Sequence, residues 1–298
     1  PVVRAAASRA GARFVYDVAD LHTESERLAR MPALARAAVR ARERRWAREA
    51  AALTAVSDAV ADEIVRWFGV ARPVVVMNCP PAWRPDEPSP PVSDRLRVAT
   101  GVAAERPVVL YQGGLSIDRG IEELVAALDE PPLADLGAAV VLLGYGRLRD
   151  PLRRVAEARP GRLFVLDAVP PGELLEWTAS ADVSYVGQPP RTLNWRLNLP
   201  NKLFESLMAG VPVLVGEGTE HCRLVSAESV GRCCDLESPT SIARAAAEML
   251  RAPPRERAEL RSRCRTIALE KYNWERQGQG LVELYRRLAS ARTAPAGP

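Results

Sequence analysis

Lys202 and Glu205 stand three positions apart in Leu199-Pro200-Asn201-Lys202-Leu203-Phe204-Glu205-Ser206-Leu207-Met208-Ala209-Gly210-Val211-Pro212-Val213. On a helix that spacing puts a cation and a carboxylate on one face. Asn201 is placed to cap the helix, whose free first-turn N–H groups point at an anion, and Lys202 adds a full positive charge there. Glu205 lies too near that anion to bind it, but is well placed to accept hydrogen bonds from sugar hydroxyls. Gly210 ends the helix, and Val213-Leu214-Val215 reads as the next buried strand. An ordinary amphipathic helix also carries this pattern, with Leu203, Phe204, Leu207 and Met208 inward and both charges in solvent.

A second set follows the apolar run Val108-Val109-Leu110-Tyr111. In Gln112-Gly113-Gly114-Leu115-Ser116-Ile117-Asp118-Arg119-Gly120, two glycines let backbone N–H groups approach a pyrophosphate that Arg119 can reach. Gly144-Tyr145-Gly146 and Gly216-Glu217-Gly218 end later apolar runs and read as turns, the latter also able to line a sugar pocket. Other chemistries find little support. Two histidines, His22 and His221, are too few and too far apart for a hydrolase triad. Five cysteines without a C-x-x-C pair argue against a disulfide framework or a zinc site. No D-x-D pair stands beside a strand, so no metal and no cofactor are expected.

These loops need strands to hold them, and the chain alternates accordingly. Apolar runs at Arg13–Tyr16, Leu53–Val56 and Val74–Met77 enclose helices at 25–50 and 58–68, the latter capped by Ser57 and closed by Gly69. Six prolines between Cys79 and Pro91 exclude a helix or central strand. Five further runs, starting at Val108, Ala139, Leu163, Val183 and Val213, alternate with helical segments, the pattern of a parallel sheet covered on both faces. Ligands bind such sheets at the carboxyl ends of the strands. The expected organisation is a partial doubly wound domain over 1–78, a Pro-rich linker and lead-in over 79–106, a nucleotide-binding domain over 107–275, and a helix and tail over 276–298. At 298 residues with 47% hydrophobic and 26% charged content the chain reads as globular. It has no signal peptide and no apolar run near the roughly 18 residues of a membrane span, so a cytoplasmic protein is expected.

The motif resembles the donor-site signature PNK-x-FE-x-x-x-AG-x-P of retaining, nucleotide-sugar-dependent glycosyltransferases of the GT-B fold, of the type numbered family 4. The resemblance implies an α/β fold of two doubly wound, Rossmann-like parallel-sheet domains, the first incomplete here. It implies that Glu205 holds the donor's ribose hydroxyls and that Lys202 faces the diphosphate, with Arg119 as the other cation. Asn201 and Leu203 are counted with them on the donor side. Gly113 and Gly114 match the family's glycine-rich loop, Gly144 its G-x-G turn, Val169 the backbone contact to the base, and Gly216 the sugar pocket. Many members carry Arg where this chain has Gly114, a Glu where it has Leu197, and His or Arg where it has Ala19. Tyr16 to Glu24 is similar to the acceptor-side D-x-x-D-L segment, which assigns Asp20 and, as a substitute for the missing group, His22. The implied activity is transfer of a sugar from a nucleoside diphosphate donor with retention, in glycan or glycoconjugate synthesis. A non-catalytic nucleotide-sugar-binding subunit or remnant, lacking the start of its first domain, and a nucleotide-sugar epimerase are the alternatives.

From Ser25 to Ala50 eight arginines face three glutamates, a local charge of +5 in a chain of +4. Arg36, Arg40, Arg44 and Arg48 recur every four residues. Two readings of this stripe stand: a solvated helix face, or contact with an anionic membrane where lipid-linked acceptors reside, placing the protein at the inner membrane face. Nucleic acid is not expected, since Trp46 is the one aromatic among these basic residues.

Overall fold

The computed structural model describes residues 2–25, 28, 31–84 and 93–290, and the chain folds into two units. Along the chain run α1 (Val2–Arg9), β1 (Val15–Val18), a 3-10 turn (His22–Glu24), α2 (Ala33–Glu49), β2 (Ala52–Ala55), α3 (Asp58–Phe68) and β3 (Val74–Val75). They are followed by α4 (Arg95–Thr100), β4 (Val108–Gly114), α5 (Ile121–Ala127), α6 (Pro131–Ala134), β5 (Ala139–Tyr145), α7 (Arg149–Glu157), β6 (Leu163–Leu166), α8 (Leu174–Ala179) and β7 (Val183–Tyr185). The remainder is α9 (Leu193–Leu197), α10 (Asn201–Met208), β8 (Val213–Gly216), α11 (Glu220–Glu228), β9 (Gly231–Cys234), α12 (Pro239–Arg251), α13 (Pro254–Glu270) and α14 (Trp274–Ser290).

Unit 1 comprises Pro1–Asn78, Thr192–Leu199 and Trp274–Pro298. Its three strands are parallel in the order β1-β2-β3, with Val15 opposite Ala52 and Thr54 opposite Val74. Ser57 caps α3 by accepting from the Val60 N–H at 3.1 Å, and Gly69 closes it, as the sequence predicts. Val60, Ala61, Ile64 and Phe68 turn inward, and Leu193 and Leu197 of α9 pack on the same core. Leu197 therefore belongs to unit 1, where its carbonyl accepts from Ser57 Oγ at 2.7 Å. α14 also belongs here: the Met77 N–H donates to Gln277 Oε1 at 3.1 Å.

The arginine stripe is in part a solvated face, with Arg44 and Arg48 exposed while they also bond within the unit. Arg44 and Arg48 each donate through Nε to the Phe68 carbonyl, at 3.4 and 3.0 Å. Arg40 pairs with Glu24 and lies 4.2 Å from the Trp67 ring centroid. The cations complement the carbonyl end of α3, where the helix dipole is negative. The expected helix at 25–50 is observed from Ala33; residues 26, 27, 29 and 30 lie outside the described set, as do prolines 85–91 and the tail from 291.

Unit 2 comprises Cys79–Arg191 and Pro200–Asn273, and its six strands are parallel in the order β6-β5-β4-β7-β8-β9. Alternate residues of the central strands go to opposite faces. Val109, Tyr111, Val140 and Leu142 join one buried cluster, Val108, Leu110, Val141 and Leu143 the other. The segment expected as lead-in is part of this unit: Leu96 of α4 is fully buried in the second cluster, and Arg265 donates to the Trp83 carbonyl. The sixth strand was not expected. Gly-Arg-Cys-Cys has no apolar run, and it pairs only with β8, at the sheet edge, where Arg232 stays exposed. The expectation against a disulfide framework did not foresee one bond, Cys222–Cys233, between α11 and β9. Cys79, Cys234 and Cys264 are buried thiols. No described helix is long and apolar enough to cross a membrane.

Candidate active site

The strand order of unit 2 reverses between β4 and β7, so the loops after these two strands part at their carboxyl ends and leave a crevice. β4 runs one turn of pleat past its apolar stretch and carries Gln112 and Gly113 to this point. Gly113 has a φ of 120°, and a side chain there would stand 3.6 Å from Lys202 Nζ. Gly144, opposite Gly113 in the β5 register, is needed for close approach, because a Cβ would lie 1.9 Å from the Gly113 carbonyl oxygen. Its role here is strand packing beneath the site.

α10 brings Lys202 and Glu205 to the crevice. Leu203, Phe204, Leu207 and Met208 are buried against the sheet, and Arg265, itself buried, donates to the Met208 carbonyl at 2.5 Å. Pro200 occupies the cap position without a side-chain bond. Asn201 is thus the first helical residue, exposed, and not the cap that the sequence predicts. The Leu203 side chain is in the core and its N–H bonds the Pro200 carbonyl at 3.0 Å.

Lys202 Nζ makes no hydrogen bond or ion pair with any described residue and lies over the Tyr111 ring, 4.0 Å from its centroid. Burial, and then the positive charge of Arg119, lowers its pKa from 10.5 to about 7, against the opposing pull of Glu205. Arg119 is held where its charge reaches Lys202 by its backbone, whose carbonyl accepts from the Gln188 N–H at 3.3 Å. Asp118 before it is in the left-handed region, φ 69°, and pairs with Arg191 at 3.1 Å. Glu205 Oε2 accepts from Gln112 Nε2 at 2.9 Å, and Thr178 Oγ1 donates to Gln112 Oε1 at 2.5 Å. Burial raises the Glu205 pKa; the Gln112 bond and Lys202 oppose this. Oε1 accepts no bond from the described residues.

The structure therefore gathers Gly113, Arg119, Lys202 and Glu205, with Gly114 exposed at the end of β4. Val169 is half-buried against the second core cluster, beside Asp167, which accepts from Arg149 and Arg153 at 3.0 Å each. Gly216 is buried under Leu236, and its carbonyl accepts from Thr219 Oγ1 at 2.6 Å. Within unit 1, Asp20 Oδ1 accepts from Asn194 Nδ2 at 2.8 Å, while Asn194 Oδ1 accepts from the Leu21 N–H at 2.7 Å. His22 is exposed in the following turn. Gln112, Thr178, Tyr111 and Asn194 were missed by the sequence reading. Gln112 alone had a signal, a polar residue closing the apolar run of a central strand.

An unpaired ammonium and an oriented carboxylate at a helix start, set at the switch point of a covered parallel sheet, define an α/β protein with an anion-receptive crevice. The chain belongs to the glycosyl transferases group 1 family, whose model matches residues 92–270. It is 28% identical over 295 residues to a GDP-mannose-dependent alpha-(1-6)-phosphatidylinositol monomannoside mannosyltransferase of Mycolicibacterium smegmatis, covering 97% of this chain and 74% of that one. An alpha-maltose-1-phosphate synthase of the same organism is 25% identical over 261 residues, covering 83% of this chain and 66% of that one. Among solved structures, Anabaena HepE in complex with UDP-glucose superposes with a TM-score of 0.73 at 20% identity, covering 97% of this chain and 75% of that one. The fold is of the GT-B type, and the protein is a glycosyltransferase.

Proposed function

We propose that the protein transfers a hexosyl group from a nucleoside diphosphate sugar to an acceptor, with retention of configuration and without a metal ion. The observation that carries this reading is Lys202: a half-buried ammonium with no anion of its own among the described residues, at the start of α10 and against the Gly113 backbone. A diphosphate in the crevice supplies the missing charge. As the sugar–oxygen bond breaks, negative charge grows on the departing diphosphate, and Lys202, Arg119 and the helix dipole stabilise it more than the ground state. Glu205, aimed by Gln112, accepts from ribose hydroxyls through Oε1.

The name of the mycolicibacterial relative, which acts on a phosphatidylinositol mannoside, supports a lipid-linked acceptor. Of the arginine stripe, Arg40 is paired with Glu24, while Arg44 and Arg48 stay exposed. Incubation with GDP-mannose and with UDP-glucose, in the presence of glycolipid acceptors, should release the nucleoside diphosphate and yield an α-linked product by NMR. Arg119→Ala and Lys202→Ala should each lower kcat more than they raise KM. Mutants that raise KM with kcat intact would show that these groups only bind the donor.

A further inference from the structure

The loop after β4 carries Arg119, and β7 with the loop after it fastens that segment from behind. The Arg119 carbonyl accepts from the Gln188 N–H at 3.3 Å, and the Gly120 carbonyl accepts from the Tyr185 hydroxyl at 2.9 Å. The two segments approach so closely that a Cβ at Gly187 would stand 2.5 Å from the Arg119 carbonyl oxygen. These contacts hold the chain from Arg119 onward. The residue before it needs a hold of another kind, because Asp118 has a φ of 69°, a left-handed conformation that a non-glycine residue keeps only when its surroundings enforce it.

Arg191 supplies that hold. Its Nη1 donates to Asp118 Oδ1 at 3.1 Å, its Nη2 to Glu123 Oε1 at 2.9 Å and its Nε to Glu237 Oε1 at 2.7 Å. The carboxylates come from three places: the loop after β4, the first turn of α5 and the segment after β9. A single exposed ion pair contributes little, but here each nitrogen of one planar guanidinium is engaged, and the Asp118 and Glu123 side chains are only 25% and 22% exposed. Without Arg191 three like charges face one another, and Asp118, whose backbone is already under strain, yields most readily. Arg119 is bonded to it and moves with it. We propose that Arg191 is a positioning residue for sugar transfer: anchored on Glu123 and Glu237, it grips Asp118 and so fixes the backbone that presents Arg119 to the donor diphosphate. This rests on the reading of Arg119 as a cation on that diphosphate. Arg191 acts through Arg119, so removing it costs only what Arg119 contributes.

Calorimetric titration of GDP, UDP and inorganic pyrophosphate into the full chain tests this through a double-mutant cycle, read on whichever of the three binds most tightly. Arg119→Ala should weaken binding about tenfold or more, the loss of a charge-assisted contact. Arg191→Ala should weaken it about threefold or more, and Arg191→Lys less, since a point charge still holds one carboxylate. In the Arg119→Ala protein Arg191→Ala should cost nothing further, whereas in the Lys202→Ala protein it should keep its full effect. Asp118→Gly serves if Arg191→Ala does not fold: glycine accepts the left-handed backbone without strain, so only the grip is lost, and its effect too should vanish in Arg119→Ala. A loss of the same size with and without Arg119, or unchanged affinity in the folded Arg191→Ala or Asp118→Gly protein, would overturn the proposal and leave the donor reading standing. Unchanged affinity in Arg119→Ala, or no binding of any of the three to the wild type, would overturn the donor reading and the proposal with it.

Discussion

Lys202 Nζ sits 4.0 Å from the centroid of the Tyr111 ring, so the face of an aromatic ring stands where water or a carboxylate would normally be. The ring attracts the ammonium but does not replace hydration in full, and the pKa falls to about 7. An arriving diphosphate raises it again, so above pH 7 binding takes up a proton. Nucleoside diphosphate affinity should fall about fivefold from pH 7 to pH 8, with an apparent enthalpy that varies with the buffer. Stability has the opposite sign. Between about 7 and 10.5 the unfolded chain holds a proton that the folded one has released, so the free protein should gain stability as pH rises through this window. Lys202→Met should abolish both dependences, as read by calorimetry and by melting.

Glu205→Ala should weaken nucleoside diphosphate binding by about 1.5 to 3 kcal/mol, the scale of hydrogen bonds to a charged group. Gln112→Leu should give a smaller loss in the same assay, because the carboxylate stays but its Oε2 is no longer held, while Thr178 keeps the Leu174 carbonyl as acceptor. Equal affinity in the folded Gln112 variant would mean that Glu205 is positioned by its own helix alone.

Two glycines thirty residues apart should respond oppositely to substitution. Gly144→Ala puts a methyl into the Gly113 carbonyl at 1.9 Å and should abolish soluble expression or cost several °C of melting temperature. Gly114 has open space where a Cβ would stand and no positive φ. Gly114→Arg should therefore fold, and should tighten nucleoside diphosphate binding by adding a second cation beside Lys202. A Gly114→Arg protein with weaker binding would remove the diphosphate from this end of β4.

Arg48→Ala removes a donor to the last carbonyl of α3 and should destabilise unit 1 by about 1 kcal/mol. Hydrogen exchange of α3 reads it locally.

The parallel alternation of unit 2 was legible because each inner strand is a short apolar run between turn signals, and Lys202 with Glu205 because their spacing matches a helical face. β9 was not, since an edge strand with one neighbour needs no apolar pattern. The cap at α10 was misplaced by one residue: Pro200 enters the helix as readily as a capping Asn. The arginine period was read correctly, but nothing local announced that Arg44 and Arg48, while exposed, also donate to the end of α3. Gln112 and Thr178 are 66 residues apart, and nothing local in either announces the other.

Unit 1 is discontinuous in sequence: after β3 its chain leaves, comes back for Thr192–Leu199, and returns again only with α14. During synthesis the sheet β1-β2-β3 therefore waits, without the helix that meets Met77, until the last described residues have left the ribosome. Unit 2 lacks nothing beyond Asn273 and is able to settle first, acting as a folded weight on a half-made neighbour. The same thread decides where the protein can be cut. A boundary drawn after residue 275, natural to a reader of the sequence, would take from unit 1 the helix that finishes it.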